Sequence, residues 1–311
     1  MSLPNKRKSR WIAAAVVSLL TSRSVAADDF RYYVSGNPDD VSTNTQGLSV
    51  LQGGGTDVDE NYVRMGERSG GGDFVVLRAS GDDGYNDYIL ALCQCDSVET
   101  IVFENRQAAY DDFVIGKIRN AEALFIAGGD QSRYVRFWKG TPVEDAIHFV
   151  AAKPAPVGGT SAGMAVLGQF AYSAMTDDSL VSSAALADPF HHDLTIEADF
   201  LHLPGMEDLI TDQHLIERDR IGRTVALLAR LVHDGLTAQG RAIAADRETS
   251  VHIDPSSAEV TVYATPDHAT PFVYLLRTTA APEVCVPGQP LSIENIEVYR
   301  LGTDATFNLK T

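Results

Sequence analysis

Five short apolar runs constrain this 311-residue chain more than any other feature. They lie at 74–77 (FVVL), 98–103 (VETIVF), 123–126 (ALFI), 156–157 (PV) and 242–245 (AIAA). Amphipathic helical patterns separate several of them, as at 108–119 and 141–151. Apolar strands alternating with helices predict an α/β fold, a doubly wound and mostly parallel sheet covered on both faces. Beyond about residue 250 the pattern changes. Residues 250–254 and 259–264 alternate like a hairpin, and 271–277 and 296–301 read as further strands. These predict antiparallel C-terminal edge strands on the same domain. There is no internal repeat and no long low-complexity linker.

Residues 1–27 differ from the rest. Lys6, Arg7, Lys8 and Arg10 precede an apolar stretch at 11–20, and Ser24-Val25-Ala26-Ala27 supplies small residues suited to signal peptidase. An apolar stretch of about ten residues is too short to span a bilayer and matches a secretory leader. The expectation is a secreted or periplasmic protein with one α/β peptidase-sized domain over 28–311. The leader carries five basic and no acidic residues, so its removal takes the net charge from −17 to −22. Such a surface repels nucleic acid and anionic membrane and favours cationic partners. Cys93, Cys95 and Cys285 form no disulfide framework. Cys93 and Cys95 look too close to pair, which leaves one bridge from Cys285 to either of them open. His191-His192 reads as a polar loop, and neither a metal nor an organic cofactor is expected.

In an open α/β sheet, ligands gather at the carboxyl ends of the strands. Three runs end there in small or polar turns: Arg78-Ala79-Ser80-Gly81, Gly128-Gly129-Asp130-Gln131 and Gly158-Gly159-Thr160-Ser161-Ala162-Gly163. The last has the layout of a nucleophile elbow, a Ser between glycines at a strand-to-helix turn, with helix expected over 162–169. A nucleophilic Ser161 needs a base and a group that orients the base. His214 stands out among eight histidines, within a polar cluster of Asp212, Gln213, Arg218, Arg220 and Arg223 that opens a helix. Its orienting acid is expected downstream, where Asp246 and Glu248 end an apolar strand. Backbone N–H groups of Gly129 and Ala162 are the expected oxyanion donors.

Taken in order, these motifs resemble the serine peptidase family of cyanophycinase and aspartyl dipeptidase, from about Gly53 onward, most of all its exported branch. Gly53-Gly54-Gly55-Thr56-Asp57 and Gly71-Gly72-Asp73 belong to the same resemblance, as does the segment from Arg78 to Asn86. The resemblance implies a class I glutamine amidotransferase-like fold with Ser in place of Cys. It implies Ser161 as nucleophile, His214 as base, and a substrate groove lined by Gln131, Asp212, Gln213, Arg218, Arg220 and Arg223. The implied reaction is hydrolysis of cyanophycin, a poly-aspartate carrying Arg on each β-carboxylate, to β-Asp-Arg dipeptides. A homodimer is compatible with it. Where the family commonly reads Asp-Glu-x-Thr-Ala, this chain has Asp246-Arg247-Glu248-Thr249-Ser250. Glu248 is therefore the first choice for orienting acid and Asp246 the second. Hydrolysis of β-aspartyl or aspartyl peptides and a catalytically degenerate binding protein are the alternatives. An esterase of the α/β-hydrolase type fits less well, because those enzymes place the acid before the final His.

Overall fold

The computed structural model describes residues 23–26, 29–176, 179–201, 203–303 and 305–310. Of the expected leader, residues 1–22 and 27 lie outside the described residues. Strands β1 (Arg23–Ala26), β2 (Phe30–Gly36) and β3 (Leu48–Gln52) come first. Helix α1 (Asp59–Ser69) leads to β4 (Asp73–Arg78), and α2 (Asn86–Cys93) to β5 (Ser97–Phe103). Helix α3 (Asp112–Asn120) leads to β6 (Ala123–Ile126), and α4 (Gln131–Trp138) with α5 (Pro142–Ala152) to β7 (Pro156–Thr160). There follow β8 (Phe170–Tyr172), α6 (Ser182–Ala187), β9 (Ile196–Ala198), β10 (Leu209–Asp212), α7 (Ile221–His233) and β11 (Arg241–Ala245). The tail holds β12 (Thr249–Ile253), β13 (Glu259–Ala264), β14 (Val273–Thr278), β15 (Ile296–Leu301) and β16 (Thr306–Asn308).

The strands form two sheets. The larger has the order β1-β2-β5-β4-β6-β7-β3-β12-β13-β16, and its five central members, β5 to β3, run parallel. Those strands are apolar along their length because helices cover both faces. Antiparallel strands flank them on either side. The smaller sheet has the order β15-β14-β11-β10-β8-β9, with β8, β10 and β11 parallel and the rest antiparallel.

Two expectations about the sheet need correction. The run at 242–245 lies in the smaller sheet, not among the other four. The tail strands divide, β12, β13 and β16 joining the larger sheet and β14 and β15 the smaller. The chain crosses between sheets just after β7, so β8 follows at once. No α-helix forms over 162–169; one 3-10 turn at Met164–Val166 stands there. A Cβ on Gly163 would lie 1.9 Å from the Ile126 carbonyl, so this segment is pressed against the end of β6.

The cysteine reading also changes. Cys93 is paired with Cys95, and Cys285 is free and buried. Gln94, at φ 53°, takes the left-handed conformation and turns the chain back, bringing the two Cα atoms to 5.2 Å. That reversal defeats the argument from short spacing.

At the amino ends of the central strands lies a buried acidic group of Asp73, Glu99 and Glu122. Ser97 donates to Asp73 (2.7 Å), Tyr32 and Lys117 donate to Glu99 (both 2.9 Å), and the Asp73 N–H donates to Glu122 (3.0 Å). Burial pushes Glu122 up to about 7, with the nearby Asp73 and Asp40 charges acting the same way. A carboxyl raised on folding contributes stability below its ordinary range and loses it as pH climbs towards 7. Glu122→Gln keeps the acceptor and removes that loss. Its melting temperature should match the parent at pH 4 and exceed it by on the order of a few degrees at pH 8; thermal melts across that range check this.

Candidate active site

The site lies at the seam between the two sheets, where β3, β7, β10 and β11 all end. Ser161 follows β7 with φ 51°, a left-handed conformation that costs a non-glycine residue energy and lifts its hydroxyl out of the turn. Its N–H donates to the Gln52 carbonyl at the end of β3 (3.0 Å), which fixes the elbow to the neighbouring strand. His214 follows β10, also left-handed (φ 50°), and is not part of a helix. Its N–H donates to the Gly53 carbonyl (2.9 Å), so β3 holds both residues.

Ser161 Oγ and His214 Nε2 are 3.0 Å apart. The other ring nitrogen, Nδ1, meets Glu217 Oε2 at 2.5 Å. Neither expected acid occupies that position. Glu248 bonds to Arg247 and accepts from Thr56 Oγ1 (3.0 Å), at the rim. Asp246 Oδ1 accepts the backbone N–H groups of Ile216 (3.3 Å), Glu217 (3.3 Å) and Arg247 (2.8 Å). It therefore anchors the turn that carries Glu217 without touching His214. The sequence signal for Glu217 was its place three residues after the base, which one tight turn brings back onto the ring.

Burial lowers the His214 pKa below its ordinary value, the Glu217 bond pulls it back up, and the Arg218 charge lowers it again. The imidazole is thus the free base at neutral pH, as a proton acceptor must be. Burial pushes Glu217 upward, but its bond to His214 and the charges of Arg218 and Arg247 act against that and keep its pKa below the ordinary value. The arrangement can take a proton from Ser161, hold it on the ring and return it to a leaving group.

Gly129 and Ala162 are the backbone groups expected to stabilise an oxyanion. Among the described residues, neither backbone N–H has an intramolecular acceptor. A Cβ on Gly128 would sit only 3.4 Å from the Ser161 Cβ, so the two turns are in contact.

The expected groove residues are mostly not in a groove. Arg223 and Asp212 are a fully buried pair, with Thr224 Oγ1 also donating to Asp212 (2.8 Å) and the Tyr172 ring 4.3 Å from the guanidinium. Arg220 donates to the Gln213 carbonyl (3.0 Å), to the Gln213 side chain and to Ser179 Oγ (2.7 Å). Burial and the Arg223 charge lower its pKa to about 10. Gln131 is buried against the Tyr172 carbonyl (3.4 Å). Four of these six residues therefore brace the His214 turn, and only Arg218 is exposed beside it. A cavity of about 730 Å³ lies at the opposite ends of the strands, around Leu209, Arg241 and Leu275, away from the Ser161–His214 pair.

Glu217→Gln should lower kcat by on the order of 10² to 10⁴, as loss of an orienting carboxylate does, while Glu248→Gln leaves it nearly unchanged. The acid limb of kcat/KM should lie below the ordinary histidine value of 6.5. It should move to lower pH still in Glu217→Gln, because Glu217 raises the His214 pKa. Rate–pH profiles of the parent and the two variants check both statements. Gly54→Ala should abolish turnover, since its Cβ would stand 2.2 Å from His214 Nε2; a folded variant with full activity would contradict this packing.

Residues 86–189, which include Ser161 and the Gly128–Gln131 turn, match the family model of peptidase family S51. The chain is similar to the cyanophycinases of Synechococcus elongatus and Thermosynechococcus vestitus, each 24% identical over 226 residues. Those matches cover 69% of this chain, and the chain spans 61% of the length of the curated relatives. In fold it is similar to a peptidase from an acI-B1 Actinobacterium, with a TM-score of 0.55 at 13% identity, covering 86% of this chain and 98% of that one. The matched segment around Ser161, the ordered motifs and the two cyanophycinases make the chain similar to peptidase family S51.

Proposed function

We propose that this chain is an exported serine peptidase that hydrolyses cyanophycin to β-Asp-Arg dipeptides through a Ser161 acyl-enzyme. The observation that carries the reading is the continuous line Ser161 Oγ, His214 Nε2, His214 Nδ1, Glu217 Oε2, with contacts of 3.0 and 2.5 Å at its two joints. Ser161 Oγ attacks the scissile carbonyl carbon as His214 takes its proton. The carbonyl electrons move to oxygen, which the Gly129 and Ala162 N–H groups stabilise. The tetrahedral intermediate expels the amine, protonated by His214. Water, activated by the same ring, then releases the acid and restores Ser161.

The substrate reading is supported by the names of the two relatives and by the acidic surface, which suits a polymer of guanidinium groups. Arg218, half exposed beside the catalytic turn, is placed to meet a substrate carboxylate. A class I glutamine amidotransferase-like sheet with Ser for Cys, and removal of residues 1–27 on export, belong to the same reading. Glu217 on His214 weighs against a degenerate binding protein, because the base keeps an acid partner despite the altered 246–250 segment.

The test is the purified chain on insoluble cyanophycin, with soluble products followed by mass spectrometry. β-Asp-Arg should appear, and Ser161→Ala should reduce its rate by at least about 10³. Activity that survives this substitution would sink the mechanism. Cleavage of aspartyl or β-aspartyl dipeptides without release from cyanophycin would move the substrate to the second reading. Failure of Ser161 to react with a fluorophosphonate probe would favour a binding protein.

A further inference from the structure

The loop between α6 and β9 brings three metal-ligating side chains to one point, well apart in sequence from Ser161, His214 and Glu217. His191 Nδ1 lies 3.4 Å from Asp193 Oδ2, and His192 Nε2 lies 3.3 Å from Asp193 Oδ1. The ligand atoms all fall within 4.8 Å of one another, and the two rings stack with centroids 4.5 Å apart. A zinc ion about 2.0–2.1 Å from each ligand in tetrahedral geometry separates its ligands by roughly 3.3 Å. The two histidine–aspartate spacings are close to that length, each to a different oxygen of the carboxylate.

The carboxylate is the second observation. The Asp193 side chain is 7% exposed, yet among the described residues no N–H or O–H group donates a hydrogen bond to it and no Lys or Arg pairs with it. A buried carboxylate needs a cation or several donors; here it faces two imidazoles. His191 Nδ1 accepts the Asp193 N–H at 3.3 Å, a long contact that a bound ion on this nitrogen would replace. His192 is 76% exposed at its side chain, which leaves a path from solvent. The backbone is compact: the His191 N–H donates to the Asp188 carbonyl (2.9 Å) and the Leu194 N–H to the His191 carbonyl (2.8 Å).

We propose that His191, His192 and Asp193 bind a divalent transition-metal ion, Zn²⁺ by preference, with a fourth position left to water. Two imidazoles and one carboxylate suit zinc, whereas Mg²⁺ and Ca²⁺ seek oxygen ligands. The site is a staple and has no part in the peptidase chemistry. Its loop is tied to α7 by Arg230, which donates to the Pro189 carbonyl (2.9 Å) and lies 3.8 Å from the Phe190 ring centre. Helix α7 in turn carries Arg223, which bonds Asp212 beneath the His214 turn. Binding should therefore raise the thermal stability of the chain.

The experiment is calorimetric titration of Zn²⁺ into chelator-treated full-length chain at pH 7.5, with thermal melts alongside. One high-affinity equivalent and a higher melting temperature are expected. Both should weaken as pH falls, because protons compete with a metal ion for its ligands. His192→Ala, at an exposed position, should weaken the affinity at least tenfold and leave the metal-free melting temperature and peptidase activity unchanged. Asp193→Asn should weaken it similarly. No Zn²⁺ binding overturns the proposal. Undiminished binding in His192→Ala overturns it too, by placing the ion elsewhere, such as at His214 and Glu217.

Discussion

The site depends on the end of one strand, Gln52-Gly53-Gly54. The Gln52 carbonyl takes the Ser161 N–H and the Gly53 carbonyl takes the His214 N–H. The Gly53 N–H donates to Thr249 (2.9 Å), and the Gly54 carbonyl accepts from Glu248 (2.6 Å). One tripeptide at the strand end thus ties together the elbow from the larger sheet, the base from the smaller one, and the crossing back from β11 to β12. Side chains cannot be accommodated there: a Cβ on Gly53 would lie 2.0 Å from the Asp246 carbonyl, and one on Gly54 would meet the catalytic ring. The strand end is in turn held from below. Gln52 is fully buried, accepts from Asn61 Nδ2 (2.5 Å), and Asn61 bonds the buried His252 (2.8 Å). Nucleophile and base are therefore positioned by backbone groups whose own partners sit in the core.

A second support is the buried charge under the His214 turn. Asp212 and Arg223 are removed from water, and such a pair is worth having only when its remaining donors and acceptors are met. Thr224, the Leu180 carbonyl (3.4 Å) and the face of Tyr172 meet them. The end of β10 is so locked to the first turn of α7, and Arg220 adds bonds to Gln213. A stretch this dense in polar groups reads from sequence as a binding surface. In the folded chain most of it is scaffolding.

The parts of this molecule legible in its sequence are those governed by local pattern. Runs such as 74–77 and 123–126 become buried parallel strands because periodicity and β-branching act over a few residues. The turn at Ser161 is legible for the same reason, since glycine at 159 and 163 marks a backbone that side chains would obstruct. What was not legible depends on tertiary position. The division into two sheets follows from where the chain crosses after Thr160, and no periodicity marks that point. The Cys93–Cys95 pairing rests on the left-handed backbone of Gln94. Whether Arg223 faces solvent or Asp212 is a matter of burial, which composition does not reveal.

The acid partner shows most clearly how such a misreading arises. A search for a carboxylate along the chain favours the strand end after His214, where Asp246 and Glu248 stand. The structure instead draws its acid from the turn of His214 itself. The left-handed His214 and the closing bond from the Arg218 N–H to the His214 carbonyl (3.1 Å) curl the chain until Glu217 faces the ring. A carboxylate that close in sequence needs no long-range register to find its base, but it does need its backbone held. Asp246 does that, accepting the Ile216 and Glu217 N–H groups from the neighbouring strand end. Arg247 and Arg218 then flank the exposed side of Glu217 at 3.9 and 4.0 Å and favour its ionised form. The segment at 246–250 is thus still engaged with the acid, as anchor and counter-charge, while the carboxylate itself stands in the His214 turn.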